Sequence, residues 1–183
     1  MTTQIMANRV IQSLFKSAKI LSGKPMYKVF NRKVVVNVPY FCTQNIGLTE
    51  TQTNALGMAV ARLFGTQVEL RLVRLQYPYL DSAILAQYIA LNAGNYNFLR
   101  MQKMLFNKVS LASTNSLPHQ TMGIKVELAG RLPTQRSIPR KTVENGHIGS
   151  FSSTSGQPLD FNQYASKNKL NAFTIKVWLS PKS

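Results

Sequence analysis

Two separate stretches of the chain, GIKVEL at Gly123 to Leu128 and FTIKVWL at Phe173 to Leu179, are written with a period of two. Ile124, Val126 and Leu128 alternate with Lys125, Glu127 and Ala129, while Phe173, Ile175, Val177 and Leu179 alternate with Thr174, Lys176 and Trp178. Successive strand residues point to opposite faces, so each stretch buries one row and leaves the other outside. Both contain IKV. Strands of matching register pair side by side, and these two are expected to join the beginning and the end of one sheet.

The rest of the chain supplies further strands and helices. Lys33 to Phe41 reads as a strand with Val34, Val36 and Val38 on one row and Val35 on the other, stopped by Pro39. LTETQTNALGMAVARLFG follows, a helix with a Thr49–Gln52 capping box, an apolar face of Leu56, Ala59, Val60, Leu63 and Phe64, and Gly65 as its stop. Val68 to Leu75 is a second strand. Asp81 caps the next helix, with Ile84, Leu85, Tyr88 and Ile89 inward, and Asn92 to Asn95 around Gly94 breaks it. A further helix runs from Tyr96 to Ser110. Phe98, Met101, Leu105 and Val109 share one face of it, and Arg100, Lys103 and Asn107 the opposite one, which reads either as a basic face for a partner or as a solvated outer surface. Glycines 146, 149 and 156 are expected to mark turns. The fold class is α+β.

Charge decides the class of partner. The chain holds 22 Lys and Arg against 6 Asp and Glu, a net charge of +16. That excess exceeds what solubility needs and points to a polyanion, with a merely basic soluble domain as the plain alternative and a membrane surface as a weaker one. One cysteine, Cys42, allows no internal disulfide. No apolar run approaches the length of a membrane span. The first acid is Glu50, so Arg9, Lys16, Lys19, Lys24, Lys28, Arg32 and Lys33 precede any counter-charge. This opening segment reads either as an organellar targeting peptide or as a helix. In the second reading Val10, Leu14, Phe15 and Ala18 pack or lie on RNA, and Ser22 to Pro25 end the element.

Enzymatic chemistry has little to stand on. Asp81 is a cap, Glu127 sits on a strand's polar row, Glu144 lies among cations, and His119 and His147 have no metal-ligand spacing with Cys42. No Gly-rich phosphate loop appears. The expectation is no catalytic residue, no metal and no cofactor.

From about Arg71 to Leu179 the chain resembles the third small-subunit ribosomal protein family. The resemblance runs through PYLDSAILA, FLRMQKM, GIKVELAGR, the I-x-R of Ile138 and Arg140, LDFN at Leu159 to Asn162, and the closing IKVWL. It implies two helices followed by a four-stranded antiparallel sheet whose first and last strands are neighbours, in a protein of the small-subunit head. The unit from Lys33 to Leu75 is similar to the second half of that family's KH domain. Where a KH fold wants a GxxG loop that clamps nucleotides, this chain has FCTQNIGLTE with Gly47 alone. That departure argues against KH-type single-strand binding. With the scarcity of acids, it looks most like the fungal mitochondrial branch.

The resemblance implies three segments: a basic N-terminal arm or helix over 1–30, a degenerate KH-like module over 31–77, and the family's C-terminal-type domain over 78–183. It implies RNA-binding roles for Arg131, delivered by a turn at Gly130, for Arg136, Arg140 and Lys141 on the loop that follows, and for Lys167 and Lys169. In bacterial relatives the helix matching Arg100, Lys103 and Asn107 lines the mRNA entrance; Leu99 and Met104 stand here where further cations would be expected. The partners implied are small-subunit rRNA, mRNA and neighbouring head proteins, with no membrane and no homo-oligomer, in the mitochondrial ribosome. A free-standing RNA-binding regulator is the alternative, and it would need an intact GxxG or paired exposed aromatics. Trp178 is the one outward aromatic on a clearly alternating strand, and packing under a loop explains it equally well.

Overall fold

A computed structural model describes residues 2–43, 48–113, 121–132, 143–149, 151, 159–169 and 172–181. The chain divides into two compact units, Met1–Pro78 and Tyr79–Ser183.

The first unit opens with α1, Thr2–Ser17, whose Ala7, Ile11 and Phe15 are buried, with Val10, Leu14 and Ala18 packed beside them. The apolar stripe read from the sequence is therefore a core face. The helix ends earlier than the breakers suggest. Lys19 adopts φ 56° and the Ile20 amide donates to Phe15 O at 2.9 Å, which closes the helix with a left-handed residue before β1, Leu21–Ser22. The chain continues through β2, Met26–Val29, β3, Lys33–Phe41, α2, Glu50–Phe64, and β4, Gln67–Arg74. β3 pairs in parallel with β4 along one edge and antiparallel with β1 and β2 on the other.

Pro39 does not stop β3. Its carbonyl accepts from the Gly23 amide at 2.8 Å, so its missing N–H faces the gap between β1 and β2, where no ladder bond is demanded of it. Val34, Val36, Val38, Leu56 and Val60 form the core between this sheet and its helices. The Thr49 amide donates to Gln52 Oε1 at 3.1 Å at the start of α2, and Gly65 at φ 64° ends it. These are the ends expected from the sequence.

The second unit places α3, Ser82–Asn92, and α4, Phe98–Ser113, before β5, Thr121–Gly130, β6, Val143–Gly149, β7, Asp160–Lys167, and β8, Ala172–Pro181. The strands form an antiparallel sheet in the order β6-β5-β8-β7, with Val126 opposite Val177 and Leu128 opposite Ile175. Ile124, Val126 and Leu128 of β5 and Phe173, Ile175, Val177 and Leu179 of β8 form one buried face, covered by Leu85, Ala86 and Ile89 of α3 and by Phe98 of α4. Each such side chain contributes on the order of 1.5–3 kcal/mol when fully removed from water.

Two of the glycines expected to mark turns lie within β6 instead. Gly146 is paired with Val126, and the space of a side chain there is filled by Gln102 of α4, so the residue marks a close helix–strand approach. Gly156 lies outside the described residues.

The PYLDS and LDFN stretches meet in space. Asp81 Oδ1 accepts from the Ile84 amide at 2.9 Å, Asp160 Oδ2 accepts from the Ser82 amide at 3.1 Å, and Asn162 Nδ2 donates to the buried Ser82 Oγ at 2.6 Å. Two carboxylates and an amide thus satisfy the N-terminus of α3 and tie it to β7. Burial raises the Asp81 pKa, the charge of Asp160 adds to the rise, and amide bonds from Ile84 and Ala83 oppose it. A raised carboxyl pKa means that the folded state binds a proton more readily than the unfolded chain. Its contribution therefore favours folding at low pH and is lost as pH rises from the ordinary value of 3.8 through the folded one. Asp81→Asn keeps a good N-cap without the charge. Its stability minus that of the native chain, from denaturation midpoints at stepped pH, should increase as pH rises through that window; an unchanging difference would contradict the assignment.

Candidate nucleic-acid interface

The cations expected to meet RNA fall on two parts of the second unit. On α4, Phe98 is buried and Met101 and Leu105 pack against the core, which turns Arg100, Lys103 and Asn107 outward to exposed positions. The Arg100 guanidinium lies 5.4 Å from the centroid of the Tyr96 ring, a cation–π placement that steadies the side chain over the start of the helix. Leu99 and Met104 are also exposed.

Arg131, Lys167 and Lys169 gather at one end of the sheet. Gly130 pairs with Phe173 and Lys167 with Ala172, which brings the end of β5 and the end of β7 to the first residues of β8, one on each of its edges. Asn168 Nδ2 donates to Arg131 O at 2.7 Å, so the β7–β8 turn carrying both lysines is pinned to the chain leaving β5. Gly130 makes this possible. Its φ is 121°, and a Cβ there would lie 2.9 Å from Ala172 O and from Phe173 Cα and Cβ, so no other residue can bring β5 out against β8 at this angle. Arg131 follows it half-buried, with Nε enclosed and without a hydrogen-bond partner among the described residues. A buried donor of this kind is costly unless something satisfies it. Arg136, Arg140 and Lys141 lie outside the described residues.

Four of the six acids are engaged within the fold, leaving Glu50 and Glu144 aside. Glu69 accepts from Lys33 at 3.1 Å and from Arg71 at 2.7 Å, and these two bonds hold its carboxyl below the usual range. Glu127 pairs with Lys176 directly opposite at 2.8 Å, and Asp81 and Asp160 are spent on α3. Most of the 22 cations therefore have no carboxylate to meet.

The outward face of the sheet carries a feature that the sequence reading missed. His147, Lys125, Trp178 and Phe161 stand opposite one another across all four strands. Lys125 Nζ is 4.9 Å from the Trp178 ring centroid, and the Trp178 and Phe161 rings are 5.1 Å apart at 36°. Period-two reading of β5 and β8 gives Lys125 and Trp178. It gives neither Phe161 nor His147, because β6 and β7 lack clean alternation.

The chain matches known proteins along most of its length. The family model described as mitochondrial ribosomal protein (VAR1) matches residues 20–182. The small ribosomal subunit protein uS3m of Mycosarcoma maydis is 35% identical over 182 residues, covering 88% of this chain and 68% of that protein. The bacterial small ribosomal subunit protein uS3 of Shewanella sp. (strain ANA-3) is 25% identical over 134 residues, and the match covers 73% of this chain and 55% of the bacterial protein. A second bacterial uS3, from Shewanella denitrificans, is 24% identical over the same shares.

Proposed function

We propose, from the premise that this chain belongs to the mitochondrial ribosomal protein (VAR1) family, that it holds small-subunit rRNA through phosphate contacts and helps line the mRNA entrance. As a family member it is a structural protein of the mitochondrial ribosome's small subunit and not an enzyme. The rRNA reading rests on the pinned group of Arg131, Lys167 and Lys169, which is followed in sequence by a segment rich in Arg and Lys and has no spare carboxylate near it in sequence except Glu144. Arg136, Arg140 and Lys141 of that segment add cations for phosphate, and Pro133 and Pro139 in it reduce the entropy lost on docking. Phosphate contacts of this kind fix register and orientation without reading sequence.

The mRNA reading rests on α4. Arg100 and Lys103 are one turn apart on an exposed face whose apolar back is anchored, so both can follow a phosphate backbone, with Asn107 one turn further on. Changing Arg100 and Lys103 to Ala should leave subunit assembly intact and slow translation through a hairpin more than through an unstructured message. Equal slowing on both messages, or loss of assembled subunits, would contradict this role. The second reading, a free-standing RNA-binding regulator, is favoured by the Phe161–Trp178 pair, the aromatic platform such a protein would need.

A further inference from the structure

We infer that the outward row His147–Lys125–Trp178–Phe161 is a stacking site for an unpaired base of the bound RNA, with Lys125 and His147 placed for its phosphate. The inference rests on the RNA-binding reading and adds a specific surface to it. Phe161 is 46% exposed although it is a large aromatic on a strand, and its ring and that of Trp178 form a tilted step, not a closed stack. The exposed Phe161 ring leaves π-surface for a third ring, and single-stranded nucleotides are held by stacking of this kind. The electrostatics suit a nucleotide. Lys125 sits over the indole, and the nearest carboxylate along the strand, Glu127, is neutralised by Lys176 at 2.8 Å. An acidic protein segment would find a cation here too, but a nucleotide uses both the rings, through its base, and the charge, through its phosphate.

The chain has a single tryptophan, so Trp178 emission reports this face alone. Titrating the full-length protein with a single-stranded oligouridylate should quench that emission. Inorganic polyphosphate of equal charge should bind without the same quenching. Phe161→Leu should weaken oligonucleotide binding about tenfold, within the range for loss of one stacked base, while Phe161→Tyr keeps it. Circular dichroism of both variants separates lost stacking from lost folding. Trp178→Phe, followed by anisotropy of a labelled oligonucleotide, should retain the affinity that Trp178→Leu loses. Oligonucleotide binding with unchanged Trp178 emission would overturn the inference and leave the phosphate reading standing. Equal quenching by polyphosphate would overturn it as well. No oligonucleotide binding at all would remove both.

Discussion

The isolated protein should lose affinity for structured RNA steeply as salt rises. If about six phosphates are contacted, log affinity falls against log salt with a slope of roughly 4 to 5, which is about 500-fold between 50 and 200 mM salt. The cause is release of condensed counterions, and a net charge of +16 with the described acids largely engaged within the fold supplies the cations for it. Replacing Arg131, Arg136 and Arg140 together with Ala should lower the slope by about 2 to 3 and leave the far-ultraviolet circular dichroism unchanged. A nearly salt-independent affinity, or an unaltered slope in the triple variant, would return these cations to ordinary solvated surface.

Gly130→Ala should destabilise the second unit by more than about 2 kcal/mol. A left-handed backbone held by a non-glycine residue costs on the order of 1–3 kcal/mol. Here the added methyl also meets the backbone of Ala172 and Phe173 at 2.9 Å, where no flexible side chain can yield. Relief requires β5 and β8 to separate at their end, which also breaks the Asn168 bond to Arg131. Chemical denaturation should show the loss, and RNA affinity of the folded fraction should fall with it. A stability within about 0.5 kcal/mol of the native chain would mean that the turn is not held by this packing.

What could be read in advance follows from how burial writes itself into sequence. β5 and β8 are central strands with one apolar face, so their rows were visible and so was their pairing. β6, VENGHIG, was not: a glycine fills the place where Gln102 of α4 comes down onto it, and the strand looks like a turn. β7 hid for a different reason. Its Asn162 turns towards α3 to bind Ser82, so a polar residue occupies a position that alternation would assign to an apolar one. In the first unit the stripe of α1 was legible but its destination was not, since an apolar face does not say whether a sheet or a partner covers it. β1 is buried but only two residues long, too short to show a period, and β2 is largely exposed, with too little burial to leave a pattern. At the candidate interface, Arg131 and the α4 cations are proposals that local sequence and the family resemblance could already name. The aromatic row could not, because it is assembled by pairing across all four strands.

Sedimentation of mitochondrial lysate, followed with an antibody to this chain, tests the central claim most directly. The protein should migrate with small ribosomal subunits and leave that fraction on ribonuclease treatment or at high salt, as a component held by rRNA phosphates must. A pool that sediments free, or with mRNA and apart from small-subunit rRNA, would contradict the account and establish the regulator in its place.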